Sequence, residues 1–299
     1  MNRSIFFSFI LILVSLTWAG SFIAVRLNYE EVSPLFLGFF RFVVATPVMI
    51  LWAFFRKKTF FLPRKELPSL IVLGLTGVTL IYLCQFYGVA YTTASTSSSL
   101  INTNVLFIAV LSAVFLHESF PWNKKLGVLL SFIGVLLVVF GQMNNETIVV
   151  DSWFLLGCGL ILCSALCWAV YTIVGKRLLQ TYDPVQITAN AFLIGTICYL
   201  PLVLPTLNEG ISSVGVSGLI AILYLGLFCS VLAYGAWYYV LSHQQAGRSA
   251  VFLTFIPLFT ITLSFFIGER PTPLFFLGAL LIIGGVLLTQ RKNKEVLDE

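Results

Sequence analysis

The sequence is short of charge. Only 10% of its 299 residues are Asp, Glu, Lys or Arg, against about 25% in a soluble chain. Apolar residues make up 59% and the mean hydropathy is +1.00. A soluble fold of this length has no interior large enough for that surface, so a soluble protein is excluded. Strict alternation over segments of about ten residues is also missing, which excludes a transmembrane barrel. What remains is runs of about twenty apolar residues, and these specify spanning helices.

Other absences narrow the function. There are two histidines, His117 and His243, and His117-Glu118 lacks the second histidine of the zinc motif His-Glu-x-x-His. No Gly-x4-Gly-Lys-Ser/Thr loop is present, so the chain does not itself hydrolyse ATP. The twelve acidic residues fall in expected loops or at helix ends. An intramembrane enzyme would need clustered bases, nucleophiles or metal ligands, and a carboxylate relay would need an acid at mid-membrane. The chain is therefore read as no enzyme, with no cofactor and no metal. The six cysteines (Cys84, Cys158, Cys163, Cys167, Cys198 and Cys229) lie in apolar runs rather than loops and read as small core residues. Cys163 and Cys167 share a helix face without further ligands.

Ten spans are expected, near 4–25, 34–55, 68–89, 94–116, 122–141, 153–175, 184–205, 214–241, 246–268 and 271–290. With the N-terminus in the cytoplasm, fourteen of the seventeen basic residues fall inside and only Arg26 and Arg270 outside. That asymmetry orients the chain and places both termini in the cytoplasm. It also explains the net charge of +5 without a nucleic acid partner. Arg41 alone sits within a span.

The halves resemble each other. Leu16, Trp18-Ala19, Ile23 and Pro34 match Leu166, Trp168-Ala169, Ile173 and Pro184 at an offset of 150. Glu118, Gly127 and Gly134-Val135-Leu136-Leu137 match Glu269, Gly278 and Gly285-Val286-Leu287-Leu288 at 151. Each half holds five spans, an odd number, so the second half enters the membrane upside down. The expected organisation is a first repeat over 1–141, an external linker 142–152, a second repeat 153–290 and a cytoplasmic tail 291–299.

Trp18-Ala19-Gly20-Ser21-Phe22, Ser33-Pro34, Phe40-Arg41-Phe42, Ala94-Ser95 and the paired Glu118 and Glu269 together resemble the EamA-type family of the drug/metabolite transporter superfamily. Pro257 fits the same pattern, although its first-half counterpart is Val105; Arg41 likewise faces Ala191. The resemblance covers nearly the whole chain. It implies a secondary carrier in the cell membrane, commonly an exporter of amino acids or other small metabolites. It also implies a central cavity between helices 1, 3, 4, 6, 8 and 9. A flippase for a lipid-linked substrate is the second transport reading.

The residues themselves supply candidates. Ser95, Ser98, Ser99, Asn102 and Thr103 form one face of the fourth span, either a cavity wall or a packing seam. Trp18, Ser21, Tyr82, Gln85, Trp168, Tyr171, Tyr234 and Trp237 offer aromatic faces and polar tips suited to a small amphipathic substrate. An interfacial aromatic belt is the other reading for Tyr87, Tyr91 and Tyr238. Arg41 meets a substrate carboxylate or phosphate, or a gate; otherwise it bonds backbone carbonyls or reaches Glu118 or Glu269 at a helix end. Glu118 and Glu269 either hold a gate by pairing with basic residues or simply end their spans, and Pro257 kinks the ninth. Gly127, Gly134, Gly278, Gly284 and Gly285 suit close helix contact, internal or in a homodimer.

Overall fold

A computed structural model describes residues 3–56, 61–115, 122–143, 150–243 and 246–289. Glu118 and the tail 291–299 lie outside the described residues, as does most of the expected linker. Ten apolar helices follow one another among those described, and no strand occurs there. They are α1 (Arg3–Asn28), α2 (Pro34–Phe55), α3 (Arg64–Tyr91), α4 (Ala94–Phe115), α5 (Trp122–Met143), α6 (Ser152–Leu178), α7 (Pro184–Thr206), α8 (Val216–His243), α9 (Phe252–Ile267) and α10 (Pro273–Thr289). Seven are long and apolar enough to cross a membrane; α5, α9 and α10 hold shorter apolar stretches. This is a multi-pass membrane protein.

Local sequence sets the helix starts. Ser33 accepts a hydrogen bond from the Phe36 N–H and Asp183 from the Val185 N–H, each followed by a proline whose missing N–H is harmless in a first turn. Asp151 caps α6 through the Phe154 N–H at 2.9 Å. The third helix starts at Arg64 rather than 68, because a short 3-10 turn, Arg64–Glu66, precedes Pro68.

The helices are interrupted where the site lies. A π-helical stretch occupies Leu75–Thr79 in α3, and a longer one Tyr224–Leu232 in α8. The fourth span was expected to be continuous; instead α4 tightens at Asn102-Thr103, with the Thr103 and Val105 N–H groups reaching back only three residues. At the start of α9, Val251–Thr254 forms a 3-10 turn before Pro257, which has no N–H for the Leu253 carbonyl. The break in α4 stands although its counterpart of Pro257 is Val105.

Helices α5 and α10 pack on each other and run antiparallel. Gly134 lies against Gly278, and Gly285 against Gly127 and Ser131. A β-carbon on Gly134 would stand 2.6 Å from the Gly278 carbonyl, so the backbones approach closely only because both positions are glycine. These glycine faces are thus occupied within the chain. Cys163, expected in the core, is exposed, whereas Cys158, Cys167 and Cys229 are buried. Tyr238 belongs to no interfacial belt: it is fully buried and stacks on Tyr171 with ring centres 5.0 Å apart.

Candidate functional site

The aromatic candidates converge. Trp18 of α1 and Trp168 of α6 meet edge to face with ring centres 5.1 Å apart, and Tyr234 stands edge-on to both. Trp237 closes the group 5.8 Å from Trp168. Edge-to-face pairs of this kind contribute about 0.5–1.5 kcal/mol each beyond simple burial.

Beside this cluster lies a small cavity of about 40 Å³. Trp18, Ser21 and Phe22 line it from α1, Ile81, Tyr82 and Gln85 from α3, Ile101 and Asn104 from α4, and Trp168 from α6; Leu253 and Ile256 complete it. Its wall carries no fixed charge. Of the residues expected to line a cavity, Trp18, Ser21, Tyr82, Gln85 and Trp168 do so here. Ser98, Asn102, Tyr171, Tyr234 and Trp237 are equally buried but lie off its wall. Asn104, which falls off the expected stripe, is on it. The break at Asn102-Thr103 is the reason, because it ends the helical register that the stripe assumed.

The same break leaves polar atoms without partners. Ser99 Oγ, both amide atoms of Asn102 and Asn104 Oδ1 are buried and unbonded, as is Trp168 Nε1 across the cavity. Such groups cost about 1–3 kcal/mol each when left unpaired. They mark a place where hydrogen bonding is held in reserve.

Arg41 is fully buried and has no carboxylate partner among the described residues. Its Nε donates to Ser230 Oγ at 2.6 Å, and its Nη2 to the Tyr82 hydroxyl at 3.0 Å and the Cys229 carbonyl at 3.1 Å. The guanidinium also lies 3.9 Å from the Tyr82 ring centre. Arg41 thus meets a backbone carbonyl and no carboxylate among the described residues, Glu269 included. The Cys229 carbonyl is available because α8 is π-helical there, and it also accepts from Trp18 Nε1 at 3.0 Å. In α3 the Gly77 carbonyl, likewise within the π-helical stretch, accepts from the Tyr234 hydroxyl at 2.9 Å. Tyr82 and Tyr234 oxygens are 2.8 Å apart. With the Tyr234 proton on Gly77, Tyr82 donates to Tyr234, and a one-directional chain runs from Arg41 to Gly77.

Among the described residues Glu269 pairs with no basic side chain. Its carboxylate accepts from the Ala94 N–H at 2.8 Å, the Ser95 N–H at 3.0 Å and the Ser95 hydroxyl at 2.6 Å. An anion there satisfies the free amides and the positive end of α4. Gly268, at φ +84°, makes the left-handed turn that aims Glu269 at this helix end. Ser95 also bonds Ser264 at 2.7 Å, so α4 and α9 are fastened together. Outside this contact a charged recess of about 360 Å³ includes Arg26, Tyr29, Glu30 and Arg270. Burial raises the Tyr29 hydroxyl above its ordinary pKa, opposed by Arg26 and helped by Glu30.

The profile of the EamA-like transporter family matches residues 5–140 and again 155–291. The chain belongs to this family. A relative from Archaeoglobus fulgidus, named an uncharacterized transporter, is 37% identical over 96% of this chain and 98% of its own length. One from Streptantibioticus cattleyicolor, named a probable terminal-alkyne amino-acid exporter, is 29% identical over 95% of this chain and 93% of its own. A solved crystal structure matches with a TM-score of 0.70 over 98% of each chain at 17% identity, a likeness of fold. An EamA-like chain with seven long apolar helices is a transporter of the cell membrane.

Proposed function

We propose that this transporter exports small amphipathic metabolites, amino acids among them, by alternating access around the aromatic cavity. The observation that carries the reading is that residues one repeat apart touch each other at the centre. Trp18 meets Trp168, Tyr82 Oη lies 2.8 Å from Tyr234 Oη, and Thr46 Oγ1 lies 2.9 Å from Thr196 Oγ1. Ser131 donates to the carbonyl of Ile282. The offsets are 150–152. A residue touches its own equivalent only near a two-fold axis. The antiparallel α5 and α10 put that axis across the helices, as inverted repeats require. The interruptions of α3 and α8, and of α4 and the 3-10 turn that opens α9, also recur at that spacing.

In this reading the organisation is two five-helix repeats, 1–141 and 153–290, joined by the external linker 142–152, with ten spans and the tail 291–299 in the cytoplasm. The Glu269 contact closes the external side. Asn104, Trp168 Nε1, Gln85 and Ser21 offer donors and acceptors to the substrate, and Trp18 and Tyr82 its aromatic walls. A cavity of about 40 Å³ is near one water molecule's share of liquid volume, about 30 Å³. It is therefore a contracted state that must widen to take a metabolite. Trp18 Nε1 is bonded and Trp168 Nε1 is not; in the opposite state the equivalent bond, from Trp168 Nε1 to the Gly77 carbonyl, replaces it.

The relative named an amino-acid exporter supports the substrate class. The test is export from bacteria that overexpress the chain and are loaded with mixed dipeptides, the medium being analysed by mass spectrometry. One or a few amino acids should accumulate above an empty-vector control. An unchanged medium, with the protein confirmed in the membrane, would overturn the reading.

A further inference from the structure

A cleft of about 660 Å³ lies apart from the central cavity. It runs along α8, with α1 as one wall and α2 and the start of α7 as the other. Phe228, Leu232, Ala236 and Tyr239 line it at intervals of three to four residues, one face of a helix. Phe228 and Leu232 are each about half exposed, as is Leu13 on the α1 wall, so the cleft opens sideways toward the bilayer.

Its polarity is graded. The end at Thr17 and Phe228 is apolar, whereas Arg56, Asp183, Ser242 and His243 gather at the other. Arg56 touches Asp183 through one contact at 3.3 Å while its side chain stays 51% exposed. Asp183 is further committed to capping α7. Arg56 therefore keeps donors for an outside anion, and a guanidinium suits phosphate oxygens. His243 donates its Nδ1–H to the Tyr239 carbonyl at 2.8 Å, which leaves Nε2 as an acceptor, so the anion's donors at this end come from Arg56. From Phe228 to His243 the cleft extends about 20 Å at 1.5 Å per residue, enough for an acyl chain reaching through one leaflet of about 15 Å.

We propose that this cleft holds one anionic phospholipid of the surrounding bilayer, its acyl chain along α8 and its phosphate at Arg56. One charged end, an apolar body and a lateral opening match a lipid, and a wholly polar solute would find partners at one end only. The inner end of the chain stops at Thr17, next to Trp18 of the aromatic cluster, so an occupied cleft braces α1 against α8. The proposal does not depend on what the central cavity carries.

Trp52 lies in the wall and packs on Gly235, so it reports occupancy. The probe is phosphatidylglycerol with dibrominated acyl chains, which quench tryptophan on contact. The full chain is reconstituted in vesicles after Trp122→Phe and Trp153→Phe remove the exposed indoles. The Trp52 signal is the difference from the same protein carrying Trp52→Phe. Brominated phosphatidylglycerol should quench it at a mole fraction at least 3-fold lower than brominated phosphatidylcholine, and Arg56→Gln should remove that preference. Equal quenching by both lipids, or no quenching of Trp52, would overturn the proposal. So would relief of the quenching by an exported amino acid, since the cleft would then be the solute's own path.

Discussion

Arg41 is a permanent charge placed at the centre of an apolar protein. A cation at the middle of a spanning helix costs about 2.5–3.5 kcal/mol on insertion scales, and no carboxylate among the described residues offsets it. The offset comes from geometry instead. The planar guanidinium reaches Ser230, Tyr82 and the Cys229 carbonyl together, with the Tyr82 ring beneath it. A lysine has the same charge but a single compact head, and cannot span that set. We expect Arg41→Lys to lower the thermal stability of the purified protein by about 1–3 kcal/mol, as buried acceptors lose their donors. Unfolding in detergent followed by tryptophan fluorescence checks this, and an unchanged transition would show that the fork is dispensable. The sequence made Arg41 conspicuous but not its partners, because one is a carbonyl exposed by irregular helical winding and no side-chain pattern encodes it.

Helical elements were the most legible part of the chain. Apolar runs, prolines in first turns and the caps at Ser33, Asp151 and Asp183 mark most of their starts. The interruptions were not legible: α3 and α8 wind wider without a proline at the site, and α4 tightens at Asn102-Thr103. The tightening of α4 is why Asn104 lies on the present wall while Asn102 lies off it. The glycines of α5 and α10 look alike in sequence, yet their surroundings differ. A β-carbon on Gly134 would meet backbone atoms of α10, whereas one on Gly284 would meet open space. Gly134→Ala should therefore destabilise by about 1–3 kcal/mol through overpacking. Gly284→Ala should be neutral or stabilise by about 0.5–1 kcal/mol through helix propensity. Thermal melts of the two variants decide the matter; equal effects would deny that this contact is tight.

At the scale of the whole molecule, the carboxylate of Glu269 is what fastens α4 to the end of α9. Glu269→Gln keeps the shape but removes the charge from bonds that are roughly twice as strong with it. A loss of about 1.4 kcal/mol changes an equilibrium tenfold. Labelling of Ser98→Cys by an impermeant thiol reagent added outside should then speed up about tenfold, in a protein freed of its own cysteines. Equal rates with Glu and Gln would remove Glu269 from the gate. The duplication could be read from the sequence, but the meeting of equivalent residues at the centre could not, since it depends on how the two halves dock. The uncompensated Arg41 has an electrical consequence as well. A substrate-free protein carries this charge inside the insulating layer, so a rearrangement that shifts Arg41 along the membrane normal does work against the voltage. Crossing the full potential amounts to about 2.3 kcal/mol per 100 mV, and a partial shift takes a matching fraction. A cell's resting voltage would thus weigh one conformation of the empty protein against the other, and an anionic passenger would cancel that weight.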